Sequence, residues 1–188
     1  RALAIAGREV DERLLAAVTG LSATELQASH QEAIDLRVVV ADPDDESVAL
    51  RHALLAEVVL SDLLAGERRQ LHQDLAIALT NHPDLADPSP AGAAGELAHH
   101  WWAAQRPVEA FATALLAADA ASAVYAHGEA FRHRHRALEL WDRIAPTDRP
   151  YSADRVALIL ETEEAADLAG ELTTAEGLIR EGLSLVDP

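Results

Sequence analysis

The sequence contains no cysteine, which excludes disulfides, cysteine-ligated zinc and thiol nucleophiles. It contains no methionine, so the chain is expected to be an internal piece of a larger protein. Lysine is also absent, and all 15 basic residues are arginine. Aromatic residues are scarce, with 3 Trp, 2 Tyr and 2 Phe. No apolar run approaches the ~18 residues that span a bilayer, and no signal-peptide pattern opens the chain. A cytoplasmic chain without membrane contacts is the expectation.

What is present is an ordinary globular balance. Of 188 residues, 49% are hydrophobic and 25% charged, which excludes wholesale disorder and leaves room for one domain or two small ones. The net charge is -17. Residues 1–82 carry 7 arginines and 14 acids, and residues 83–188 carry 8 and 18. Both halves repel phosphodiester backbones, so direct nucleic-acid binding is not expected. Alanine supplies 40 residues and leucine 28, and apolar positions recur at i, i+3, i+4 and i+7. The fold class is therefore mainly α.

The N-terminal third is well punctuated. Asp11 is placed to cap a short helix, and Gly20 to end it. Ser22 and Glu25 form a capping box, with Leu21 and Leu26 as a hydrophobic staple, for a helix reaching about Leu36. Val38-Val39-Val40, the turn residues Asp42-Pro43-Asp44-Asp45-Glu46, and Val48-Ala49-Leu50 then read as a β-hairpin. Helices follow from about His52 to Leu64 and, after a turn at Ala65-Gly66, along Leu71, Leu75, Ala78 and Leu79. With Ala2–Ala6 as first helix, this is a winged-helix order; an irregular helical bundle with a surface hairpin is the alternative. The winged-helix domain is assigned to residues 1–82.

Pro83, Pro88 and Pro90 mark a linker. Beyond it, helices are expected near 92–105, 107–126, 128–145, 152–169 and 172–186. The fourth ends at Gly170, and the fifth opens on a capping box of Thr173 and Glu176. Ala130-Phe131 with Ala137-Leu138 is echoed 45 residues later by Ala175 and Gly182-Leu183. The Gly170–Ala175 spacing fits a tetratricopeptide-like helical hairpin, with Ala145–Ser152 as an insertion. Residues 91–188 are read as such an α-helical repeat array, or else as an unrelated stack of amphipathic helices.

Four segments in order carry a family resemblance. Leu50-Arg51-His52-Ala53-Leu54-Leu55-Ala56-Glu57-Val58 and Leu63-Leu64-Ala65-Gly66-Glu67-Arg68-Arg69-Gln70-Leu71-His72 are two of them. Glu96-Leu97-Ala98-His99-His100-Trp101 and Arg136-Ala137-Leu138-Glu139-Leu140-Trp141 are the others. The chain resembles large ATP-dependent LuxR-type transcription regulators of the STAND class. The resemblance implies an ATPase domain before this piece and a DNA-binding helix-turn-helix after it. It implies ATP/ADP as the cofactor of the full-length protein, the ATPase domain as a partner, and a protein or small-molecule inducer at the repeats. Similar modules occur in some adenylate cyclases and kinases, and a free-standing repeat adaptor is a further reading. No G-x-x-x-x-G-K-[ST] loop is present, so no cofactor is expected in the piece itself and no catalysis by it.

STAND proteins often carry a methionine-histidine-aspartate motif just after the wing, whose histidine touches the β-phosphate of bound ADP. Leu50-Arg51-His52 occupies the matching place, with Ala53 where the aspartate would be. The resemblance makes His52 and Arg51 the nucleotide-sensing candidates. Otherwise His52 is a helix-start residue and Arg51 a wing-strand residue with a solvated head. The nine histidines do not assemble a metal site by spacing: His99-His100 and His133/His135 diverge on a helix, and one Glu96–His99 step is not a di-metal set. Trp101 and Trp102 are read as one core residue and one packing edge, or as a ligand platform. The candidate recognition helix, residues 22–36, carries Glu25, Glu32 and Asp35 without Arg or Lys, which argues against major-groove docking.

Overall fold

The computed structural model describes residues 1–42, 46–149 and 154–186. The described residues form ten α-helices and three short strands, so the chain is mainly α with a small sheet. Backbone packing divides it into two units, Arg1–Ala86 and Asp87–Pro188.

In the first unit, α1 (Ala2–Ala6) is followed by β1 (Val10–Asp11), α2 (Glu12–Thr19) and α3 (Ala23–Asp35). The chain then forms β2 (Val39–Asp42), β3 (Ser47–Leu50), α4 (Ala53–Asp62) and α5 (Ala65–Asn81). A 3-10 turn, Pro83–Leu85, closes the unit. The capping chemistry operates as its residue types require. The Asp11 carboxylate accepts from the Arg13 N–H at 2.7 Å. Gly20 takes a left-handed φ of 65°, where a β-carbon is penalised, and its N–H bonds the Ala16 carbonyl. Ser22 and Glu25 form the reciprocal capping box.

The hairpin is antiparallel, with Val39 opposite Leu50 and Ala41 opposite Val48. β1 adds to the other edge of β3, with Val10 opposite Val48, so the strand order is β1-β3-β2. The period-2 alternation sends Val10, Val39 and Val48 inward and leaves Val40 outside. Pro43, Asp44 and Asp45, the middle of the expected turn, lie outside the described residues.

The turn expected at Ala65-Gly66 is two residues early. The chain breaks at Leu63–Leu64, both with extended ψ, and α5 starts at Ala65 with Gly66 in its first turn. Leu63 is buried, so burial of its side chain, rather than glycine, sets the break. A first-turn glycine is cheap, because the N–H groups there have no intrahelical partner to lose.

In the second unit, α6 (Pro90–Ala103), α7 (Pro107–Ala123), α8 (His127–Leu140), α9 (Arg155–Leu168) and α10 (Leu172–Val186) follow in order. Each packs on the next. The connections α6–α7 and α7–α8 are short, which makes those neighbours antiparallel. Small residues line the contacts. Ala110, Ala114, Ala117, Ala118 and Ala121 of α7 are buried, as are Ala130 and Ala137 of α8. Ile159, Ala166, Ala175 and Leu178 form a core across α9 and α10, flanked by Phe131 and Leu138. Gly170 has a left-handed φ of 82° just past α9. The expected Thr173 cap is not formed. α10 begins at Leu172, one residue earlier, so Thr173 lies inside it. Glu176 instead pairs with Arg180 one turn on.

Between α8 and α9 the chain makes two 3-10 turns, Trp141–Arg143 and Pro146–Asp148. Arg149 stacks over the Trp141 ring, 4.1 Å from its centroid, and donates to the Trp141 and Ile144 carbonyls at 2.7 and 3.0 Å. The expected insertion therefore has a fixed entrance. Pro150 to Ala153 lie outside the described residues.

Candidate functional site

The two nucleotide-sensing candidates sit where the hairpin hands over to α4. His52 is the N-cap residue of α4, with φ -139° and ψ 136°. It is exposed, and its ring makes no capping hydrogen bond. Ser, Thr, Asp or Asn at such a position would satisfy a first-turn N–H, and an imidazole here does not. Those N–H groups form the positive end of the helix dipole, which favours an anion.

Arg51 is used in part. Its backbone N–H bonds the Val38 carbonyl at 2.9 Å, and its Nε donates to the Arg37 carbonyl at 3.0 Å. Arg37 itself holds a φ of 58°, so the guanidinium props a strained turn at the root of the hairpin. The two terminal guanidinium nitrogens of Arg51 have no partner among the described residues and face solvent. This geometry makes Arg51 a residue of the hairpin's exit and leaves its two terminal nitrogens available to a ligand.

Next to the handover lies an open cleft of about 260 Å³. Leu3, Gly7, Leu50, Ala53 and Ala56 supply apolar walls, and Arg8 and Glu9 supply charge. Arg8 is fixed by the Glu9 and Leu85 carbonyls, each at 2.8 Å. Glu9 accepts from the Ser47 hydroxyl on β3. His52 is not among the lining residues, but the Ala53 beside it is.

α3 presents a different face. Leu26 is its one buried residue, so most of the helix is exposed, including Glu25, Glu32 and Asp35. The Ser22 hydroxyl and N–H hold the Glu25 carboxyl below the usual range, which keeps it charged. A helix with this surface has no guanidinium or ammonium to offer a phosphate.

In the second unit, the paired histidines and tryptophans split between inside and outside. His100 and Trp101 are buried, and His99 is exposed. Trp102 is half-buried under the Arg136 guanidinium, 5.5 Å from the ring centroid. Desolvation of the part of its ring that packs against the protein, and then the charge of Arg136, lower the His99 pKa. Beside Trp102 lies a cleft whose lining comes from α6, α7, α8 and the Trp141–Arg143 turn; sequence reasoning missed it because those members share no motif.

No protein-family model, curated protein or solved structure matches the chain.

Proposed function

We propose that the chain is an internal part of an ATP-dependent LuxR-type transcription regulator. Its first unit, a winged helix, relays the nucleotide state of an ATPase domain to the second unit, a tetratricopeptide-like sensor. DNA binding belongs to another part of that protein.

Several features support this reading. The order helix, strand, helix, helix and hairpin, with strand order β1-β3-β2, suits a winged helix. In the second unit, consecutive helices stack in sequence with buried Ala130, Ala137, Ala175 and Gly182 at their contacts. Small residues at such contacts and a left-handed Gly170 between helices suit tetratricopeptide-like repeats. The acidic, exposed α3 disfavours DNA and suits a protein-facing module.

The observation that carries the proposal is the position of His52. It stands alone at the N-terminus of α4, one residue after Arg51, on the loop that leaves the hairpin. The imidazole and the first-turn N–H groups of α4 adjoin, in sequence, an Arg51 whose terminal nitrogens have no partner among the described residues, and these are groups with which a phosphate could be read.

The test is made in the parent protein. H52A should weaken retention of ADP and shift the balance of states, raising basal output. R51A should do so less, because its Nε is held by the Arg37 carbonyl and the side chain is in part structural. Unchanged ADP retention in both variants, with normal folding, would refute the relay role.

A further inference from the structure

The second unit is strongly acidic, yet one place in it has cations to spare. Arg106 pairs with Glu109 at 2.6 Å, and Arg132 with Glu129. Arg134 pairs with Asp119 and Glu161, Arg155 with Asp142 and Glu181, and Arg180 with Glu176. Arg149 is spent on Trp141 and two carbonyls. Arg136 covers Trp102 and has no ion pair among the described residues. Arg143 is exposed and has no partner at all among them.

Arg143 lines a cleft of about 220 Å³ with Trp102, Gln105, Arg106, Pro107 and Leu140. Three arginines thus gather around one indole; Glu109 pairs with Arg106, Glu139 acts on Arg136 without an ion pair, and Arg143 has no partner among the described residues. Leu140 and Pro107 give the cleft apolar walls, and Trp102 gives it a flat one. Gln105, with a left-handed φ of 58°, turns the chain between α6 and α7. α7 begins at Pro107, so its positive dipole end adds to the field at this wall.

We infer that this cleft binds a small aromatic monocarboxylate, with Arg143 taking the carboxylate and Trp102 packing against the ring. A guanidinium matches a carboxylate in two parallel hydrogen bonds, which a bare point charge does not. An aromatic body gains from the indole face or edge and from the nearby cations. The volume lies below the ~300–1,000 Å³ of pockets for drug-sized ligands, which restricts the ligand to about one ring. As a binding site for the free chain, the cleft does not depend on the relay reading. As the sensor's input site, it does.

The experiment is calorimetric titration of the 188-residue chain with benzoate, with cyclohexanecarboxylate and inorganic phosphate as comparison probes. Saturable benzoate binding at one site is expected, with cyclohexanecarboxylate weaker and phosphate weaker still. R143A should lower benzoate affinity at least tenfold without changing the melting temperature, because Arg143 makes no contact that folding uses. R180A, which removes an exposed arginine elsewhere, should leave affinity unchanged. W102L should weaken binding and W102F should largely restore it; if W102L does not fold, R143A decides. No saturable benzoate binding, equal affinity for phosphate, or full affinity in R143A would each overturn the assignment. Benzoate binding to the chain alongside an H52A parent with unaltered nucleotide behaviour would uphold the cleft and remove the relay.

Discussion

His133 of α8 is 6% exposed, and its Nδ1 has no hydrogen-bond partner among the described residues. Gly95 of α6 lies against it, and a β-carbon there would stand 3.6 Å from the ring Nε2, an ordinary contact. Burial first, and then the charges of Arg136 and Arg132, lower its pKa to about 4. The folded chain therefore holds this ring neutral, while the unfolded chain protonates it near the ordinary ~6.5. The stability this provides is complete above that value and is lost as pH falls toward 4. The slope from this one group approaches about 1.4 kcal/mol per pH unit between those limits. Thermal melts at pH 7, 6 and 5 should show it, and H133F should melt with a flatter pH dependence. At the opposite end of the chain, S22A removes a capping box that nothing else in α3 replaces. It should cost about 1 kcal/mol in a urea titration, and S22T should cost less.

Between α9 and α10 the controlling residue is Gly182. A β-carbon there would meet the Ile159 Cγ2 at 3.5 Å, an ordinary contact, and its φ is not one that only glycine tolerates. G182A should therefore stabilise the chain, by up to about 1 kcal/mol from helix propensity. G182L must displace Ile159, which is fully buried, and should destabilise by roughly 1–3 kcal/mol. G177A, with nothing near its β-carbon, supplies the propensity term alone. Denaturation of the three variants separates packing from propensity.

The same distinction explains what could be read in advance. Asp11, Gly20, Ser22 and Glu25 act through their own backbone, so their roles follow from residue type and spacing. The hairpin was legible from Val38-Val39-Val40 and Val48, but β1 was not. Two residues, Val10 and Asp11, carry no period, and their strand exists because Val48 offers a free edge. The α4–α5 break and the cap of α10 differ from expectation for a related reason. Leu63 turns the chain by being buried, and α10 starts ahead of its cap-like Thr173. His52 and Arg51 could be singled out by position along the chain. The Arg51–Arg37 bond, which divides the guanidinium between scaffold and solvent, is a tertiary fact that spacing does not contain.

At the scale of the whole chain, net charge sets the expectation for nucleic acid. With a net charge of -17 and no basic residue on α3, the chain should show no measurable binding to duplex DNA at physiological salt. Lacking a phosphate loop, it should also bind ATP and ADP negligibly when alone. A fluorescence-anisotropy titration with a mixed-sequence duplex, repeated with labelled ADP, checks both. Tight binding of either would contradict the division of labour proposed for the two units. The Arg149 clasp matters at this scale too. It ties the exit of α8 to Trp141 before the chain goes on to α9. Residues grafted immediately after Arg149 should leave the α8 end in register, making this junction a natural place to splice in a reporter.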